Sequence, residues 1–466
     1  MAVLISLPAL GLVVGWWGAR SARAEAASSC PAAISGVGSG AVYYVSPTGS
    51  DGNSGTSPCA PWQTMTKVDS AHLQPGDTVA FEGDQIFSSS LAPWGGASGS
   101  IDHPIVYTSY GTGRAYLAAG VYLNSVADLT LENLNITNSA GPGIGTGATG
   151  TGTTNLTVRD SSVSSTYRGG IGGYGIGLRN TLDSRWTIQN DNISNTADSG
   201  VFSKGSAVTI DDNTLANDGI GPYCGTASNQ NPCHAIYAKG PKATVTNNTI
   251  TNPQSDGISL RYQNNIVQHN TISGGQKGIA FNSETTTFGT TYVVGNTLYG
   301  QSDTGIELDS GTQPVYESLV VASNTVYNSA NYAVYIASGP NSASTQTVTL
   351  KDNLFESGAG TEAYLNLAYP TRYTKSTYSE RHDTFYGTSS SHPFLVNGTA
   401  RSWATYTGWF SANTRAGRSR CSTRPGSRTR TLTDDRRWHP KDVADHIPHV
   451  TSCPMTGSTA PSEPVR

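Results

Sequence analysis

From Thr130 to Phe355, short segments repeat one pattern of apolar and polar positions. They are TLENLNI (130–136), TVRDSSV (157–163), TIQNDNI (187–193), TIDDNTL (209–215), TVTNNTI (244–250), IVQHNTI (266–272), YVVGNTL (292–298), LVVASNTV (319–326) and TLKDNLF (349–355). A second segment follows most of them: GIGLRN (175–180), GVFSKG (200–205), AIYAKG (235–240), GISLRY (257–262), GIAFNS (278–283), GIELDS (305–310) and AVYIAS (333–338). Apolar and polar residues alternate with period two, as in half-buried strands. Each unit reads as strand, turn and strand with no helix between, at a spacing that varies from 22 to 35 residues.

A fixed motif at variable spacing indicates a solenoid whose insertions leave on one side, since a closed barrel would not tolerate units of such different length. The inward Ile, Val and Leu of each unit stack on those of the next. Asn213, Asn248, Asn270, Asn296, Asn324 and Asn353 recur at one slot just before a β-residue. Asparagine tolerates left-handed turn geometry, and stacked amides hydrogen-bond along a column. The expected fold is all-β: a single-stranded right-handed parallel β-helix of about nine to eleven coils over residues 88–400. Residues 41–84 read as strand, Gly/Ser loop, short helix, turn at Pro75-Gly76 and strand. This front end, taken as an N-terminal cap with the first strand over 41–87, resembles the N-terminal segment of secreted β-helix proteins of the pectate-lyase-like superfamily.

Composition agrees: 53 glycines, only 13 % charged residues and a net charge of −4 suit many short strands and tight turns, and give no basic surface for nucleic acid. Residues 1–26 combine an apolar run with Ala-x-Ala patterns and read as a secretory signal, so an extracellular, monomeric protein with no membrane attachment after cleavage is expected. Of six cysteines, Cys224 and Cys233 are expected to form a disulfide within one loop; Cys30 with Cys59 is one of the pairings left open among Cys30, Cys59, Cys421 and Cys453. Residues 401–466 hold 11 of the 28 Lys plus Arg and lose the repeat; they read as an atypical tail, either basic and disordered or the product of a shifted reading frame.

Charge placement supplies the candidate chemistry. Residues 24–400 contain fifteen Lys plus Arg, and four of them fall in one column when the second strands are aligned on their Gly-Ile pair: Arg179, Lys204, Lys239 and Arg261, followed by Asn282 and Asp309. With Ile258 and Leu260 pointing in, Ser259 and Arg261 point out. Like charges stacked at roughly 4.8 Å repel, so the column needs an anionic ligand or a carboxylate neighbour. The contexts AIYAKG and ISLRYQNNIVQHN, with Lys239, Arg261 and Asn270, resemble the chondroitinase B and alginate lyase family of β-helix polysaccharide lyases. That resemblance implies β-elimination on an acidic polysaccharide. Arg261 would neutralise the uronate carboxylate and Lys239 would take the C5 proton. Arg261, Tyr262, Tyr237 or His234 would serve the leaving oxygen. Arg179, Lys204, Tyr237, Tyr262 and Asp256 are the expected substrate contacts. Tyr262 stands where the family has histidine, and Phe202 and Lys204 stand where it has calcium ligands.

Two further constellations accompany the column. His234, Asp256 and Lys277 precede successive Gly-Ile strands, a spacing at which Asp256 can orient His234. Asn282, Glu284, Glu307 and Asp309 form an acidic patch, readable as Ca²⁺ ligands, as the paired carboxylates of a glycosidase or as a solvated face. The candidate functions are therefore a secreted lyase or epimerase acting on a uronic-acid polymer, a glycosidase using Glu307, Asp309, Asp256 or Asp218, or a non-catalytic glycan-binding protein.

Overall fold

A computed structural model of the chain describes residues 30–34, 37–93, 97–165, 173–222, 224, 233–282, 284, 289–308, 316–337, 345–356, 363–368, 378–386, 394–396, 399–402, 404–406, 415–416 and 420–422. The proposed signal segment and the rest of the tail lie outside these residues.

Three long sheets run the length of the molecule, with 14, 13 and 12 strands, here called sheets A, B and C. The chain visits them in turn, so one coil is A, B, C. The coil at Thr209–Asp211, Thr214–Ala216 and Ile236–Ala238 is representative. Each strand pairs in parallel register with its counterpart one coil away: Ile210 with Val245 in A, Leu215 with Ile250 in B, Ile236 with Ile258 in C. One pair is antiparallel, Phe394–Val396 with Thr399–Arg401 at the end of sheet C. This is the expected right-handed parallel β-helix, with more coils than the motif alone suggests. In the segment read as a cap, Val42–Val45 and Thr78–Glu82 already belong to sheet A, with a short helix between them in place of strands of sheets B and C.

The repeat contains three strands where the pattern suggests two. Segments such as TIDDNTL break at a two-residue turn, Asp212-Asn213, and pass from sheet A into sheet B. The left-handed residue of that turn is the one before the recurrent asparagine: Asp212, Asn247, His269, Gly295, Ser323 and Asp352 all have φ near +60°. The asparagines themselves are buried and form a ladder. Asn270 Nδ2 donates 2.9 Å to Asn296 Oδ1 and 2.9 Å to the Val245 carbonyl, and its Oδ1 accepts from Asn248 Nδ2 at 2.9 Å. The ladder begins at Asp191 and ends on Asp383 Oδ1, which accepts from both nitrogens of Asn353.

The core is one continuous column of aliphatic residues, such as Ile188, Ile210, Val245 and Val267 in A and Ile236, Ile258, Ile279 and Ile306 in C, all essentially inaccessible. At the front, Thr64 caps a five-residue helix, Met65–Asp69, whose Met65 and Val68 enter this core. Cys30–Cys59 and Cys224–Cys233 are both joined as disulfides. At the back, Tyr406 stacks on Phe394 with ring centroids 4.1 Å apart, and strands Arg415–Ala416 and Arg420–Ser422 extend sheets A and B. The solenoid thus continues past residue 400, into part of the segment read as a tail.

The connections around sheet C differ from the A–B turn. From Arg159 onward, as far as Thr384, the A–B turn is two residues long, whereas the segments entering and leaving sheet C vary widely. The outer face of sheet C is therefore the wall bordered by variable loops, where binding groups are usually carried.

Candidate functional site

In sheet C the strands Ile176–Leu178, Val201–Ser203, Ile236–Ala238, Ile258–Leu260 and Lys277–Phe281 are in register, with Leu178, Ser203, Ala238, Leu260 and Phe281 side by side. Arg179, Lys204, Lys239, Arg261 and Asn282 follow immediately, so they form one column on successive coils. Burial increases along it: Arg179 and Lys204 are exposed, Lys239 is intermediate and Arg261 is buried. Asp309 lies outside the described residues.

The middle residues of these strands make a parallel outward column: Gly177, Phe202, Tyr237, Ser259, Ala280, Glu307 and Tyr335. Tyr174 stacks on Phe202 at 4.6 Å, and Phe202 meets Tyr237 edge-on at 5.6 Å. Tyr332 stacks on Tyr335 at 5.7 Å further along. Between Tyr237 and Tyr335, four coil steps or roughly 19 Å of wall, the small residues Ser259 and Ala280 leave room for long side chains to lie flat. Both are fully covered, which differs from the expected open Ser259.

Arg261 lies over that small-residue stretch. Its Nη1 donates 2.9 Å to Ser259 Oγ and 3.2 Å to the Leu260 carbonyl, and its guanidinium sits 4.9 Å from the Tyr237 ring centroid. Lys239 Nζ reaches the same ring at 5.6 Å. Both cations meet one carboxylate oxygen, Glu284 Oε1, at 3.1 Å from Lys239 Nζ and 3.4 Å from Arg261 Nε. The Glu284 amide donates 2.8 Å to the Arg261 carbonyl, which anchors its backbone above the pair. Glu284 thus supplies the carboxylate neighbour that a stacked cation column requires. No strand alignment could reveal this contact, because Glu284 leaves from the loop after the following coil.

Beside this cluster, His234 Nδ1 is 3.1 Å from Asp256 Oδ2 and 3.3 Å from the Asp256 amide. Burial opposes ionisation of Asp256. The adjacent His234, with Lys277 and Arg261 beyond it, more than offsets burial and holds the carboxyl below its usual range. His234 is itself buried behind Tyr237, edge-on at 4.7 Å, and its Nε2 has no hydrogen-bond partner. It therefore positions Tyr237 and Asp256 and does not stand at the surface where it was expected to act as an acid. Lys277 is ion-paired with Glu307. Burial lowers its pKa, but Glu307, then Asp256 and Asp303, raise it by more, so the ammonium form is favoured. Tyr262 is half-buried in the turn after Arg261, where its carbonyl accepts from Asn265 Nδ2.

Two carboxylates of the acidic patch are held by cations, and Asp309 lies outside the described residues. Glu284 is committed to Lys239 and Arg261 and Glu307 to Lys277, so a divalent cation would meet ammonium and guanidinium groups at once. Among the described residues, no group of three or more His, Cys, Asp or Glu could hold a metal ion. Asp218, proposed as a glycosidase carboxylate, is fully buried under Thr196. Burial pushes its pKa up to about 8 against the lowering by the Thr196 bonds, and it does not reach the outer face.

Residues 112–236 and 226–369 match the family model described as right handed beta helix region. The chain belongs to the right-handed β-helix family. Over 106 residues, 22 % of this chain and 7 % of the relative, it is 35 % identical to lacto-N-biosidase of Bifidobacterium longum subsp. longum. It therefore spans less than a tenth of that relative's length. Among solved structures it is similar to the GH136 lacto-N-biosidase from Eubacterium ramulus, at 14 % identity and a TM-score of 0.47, covering 78 % of this chain and 66 % of that one. It is also similar to a mannuronic acid specific polysaccharide family 6 lyase from human gut microbiota, at 15 % identity and a TM-score of 0.47, covering 76 % and 87 %. At these identities the likeness concerns the fold. Among the described residues, no helix of this β-helix is long and apolar enough to cross a membrane.

Proposed function

We propose that this β-helix is a secreted carbohydrate-active enzyme that binds a uronic-acid-bearing glycan on the outer face of sheet C and cleaves it by β-elimination. The observation that carries the reading is the meeting of Lys239 Nζ and Arg261 Nε on a single carboxylate oxygen, at 3.1 and 3.4 Å. Adjacent coils there present two cations to one anion, over an aromatic ring that holds both. A sugar carboxylate in that position is neutralised by Arg261, which makes the neighbouring C5–H more acidic. Lys239 removes that proton once it has released its own ammonium proton to solvent. The electron pair forms the C4–C5 double bond and expels the C4 oxygen, which takes a proton from the Tyr237 hydroxyl or from water. Tyr332 and Tyr335 offer stacking faces for further sugars along the same wall, and Arg179 and Lys204 extend the positive rim on the other side. Two disulfides, Cys30–Cys59 and Cys224–Cys233, support an oxidising compartment and hence export.

A hydrolase using Asp256 and Glu307 is the second reading, because both carboxylates stand on this wall on either side of Lys277. A glycosidase needs one of its two carboxyls to keep a proton near neutral pH. Asp256 is held below the usual carboxylate range, and Glu307 is paired with an ammonium group, so neither has the surroundings of an acid. The test is incubation with alginate, polygalacturonate and glycosaminoglycans, followed by absorbance near 235 nm and by reducing-end release. The expected result is new 235 nm absorbance on one acidic polymer. Reducing ends without that absorbance would establish the hydrolase, and neither signal would leave a glycan-binding protein.

A further inference from the structure

We infer that Glu284 is an exchangeable internal counter-ion, the residue that an incoming sugar carboxylate displaces, and so the residue that sets the site's preference for acidic over neutral glycans. The inference rests on the anion-binding reading above and deepens it.

Three observations carry it. First, exposure grades outward through the cluster: the Arg261 side chain is 11 % exposed, Lys239 27 % and Glu284 41 %. The carboxylate is the outermost member, the first that a ligand meets. Second, the two cations are held without it. Arg261 Nη1 is fixed by Ser259 Oγ and its own strand carbonyl, and both cations lie over the Tyr237 ring. Removing the Glu284 carboxylate therefore leaves a formed anion site. Third, the Glu284 backbone is tied to Arg261 through its own amide, so the side chain can rotate away while the main chain stays in place. The carboxylate end of this cluster is open to solvent, where salt screens its pull on the cations.

The selectivity follows from charge balance. Two cations on adjacent coils, roughly 4.8 Å apart, are unfavourable unless an anion lies between them. A uronate exchanges charge for charge with Glu284. A neutral sugar offers nothing in return, so Glu284 stays in place and occupies the position.

The test is titration calorimetry of the wild type, Glu284→Gln and Glu284→Asp with trigalacturonate, trimannuronate and neutral galactotriose. The wild type is expected to bind one of the acidic trisaccharides and to bind galactotriose more weakly. Glu284→Gln is expected to bind the acidic ligand about three- to tenfold tighter. Glu284→Asp keeps the charge but is one methylene too short to span both cations, so it is expected to tighten binding as well, by about twofold or more. Thermal midpoints confirm that all three proteins are folded. Unchanged or weaker acidic-ligand affinity in both folded variants overturns the inference, as does the absence of binding heat from all three proteins, or a wild type that binds galactotriose as tightly as the acids. Tightened binding without any 235 nm product would overturn the β-elimination proposal and leave the exchange standing. Product formation without tightened binding would do the reverse.

Discussion

Two columns of polar side chains run along this solenoid, and they obey opposite rules. The asparagine ladder between sheets A and B is buried, neutral and continuous from Asn213 to Asn353. The cation column at the edge of sheet C spans four coils, passes from exposed Arg179 to buried Arg261, and meets a carboxylate from outside the column. The difference lies in the functional groups. A primary amide carries both a donor and an acceptor, so each copy satisfies the next and the column can repeat indefinitely. Ammonium and guanidinium groups only donate, and they repel their own copies. A stacked amide is therefore a scaffold, whereas a stacked cation requires a second party.

The contrast yields four expectations, taken from the largest effect down. If the cation column is the chemical one, Lys239→Ala lowers 235 nm product formation by about a hundredfold or more, while its thermal midpoint stays close to that of the wild type. Loss of activity together with loss of folding would place Lys239 among the scaffold residues instead. In the ladder the reverse holds. Asn270→Ala strands the donors of Asn248 and loses the bonds to Asn296 and Val245, at a cost of about 3 kcal/mol in urea denaturation with activity per folded molecule unchanged. A neutral result there would mean that the amide column is decorative.

The ladder's end gives a subtler test. Burial, and then Glu380, push the Asp383 carboxyl up to about 8, against the lowering by its Asn353 bonds. The folded state thus keeps a proton that the unfolded state releases near pH 4, and stability falls as pH rises from about 4 to about 8. Asp383→Asn accepts the same bonds with no charge to bury. It is expected to stabilise the protein at pH 8 by on the order of 1 kcal/mol, with the gain vanishing toward pH 4. Thermal midpoints across that range measure it, and equal midpoints for both proteins at pH 8 would refute it. Smallest of all is the rim: Lys204→Ala, at an exposed position, is expected to raise KM by about twofold to threefold at low salt, and by nothing measurable at high salt.

The sequence pattern made the scaffold legible for a definite reason. A solenoid writes its inward residues at a recurring slot, so Ile210, Val245 and Val267 align by inspection, and the asparagines with them. It also made the cation column legible, because Arg179, Lys204, Lys239 and Arg261 keep one offset from the Gly-Ile pair. What stayed hidden was whatever the repeat does not encode. The A-to-B corner is only two residues long and keeps the apolar alternation running, so two strands read as one. Arg261 was expected to face solvent, yet it folds back over Ser259, since a side chain of that length covers the small residue beside it. His234 was expected to work at the surface and lies behind Tyr237, because aromatic packing, which leaves no periodic trace, decides its place. Glu284 reaches back from a variable loop, where position in the sequence does not fix position in space.

The asparagine ladder also gives the molecule a polarity. Within the ladder each side-chain amide donates to the asparagine of the later coil and accepts from that of the earlier one, and the series stops on Asp383 Oδ1, which accepts from Asn353. Severing the solenoid between two such coils would leave the ladder with unlike ends, an amide hydrogen on one stump and an amide oxygen on the other. Fragments made this way have matching ends in a single order, so complementation of two halves is expected to rebuild the rod head to tail and never head to head.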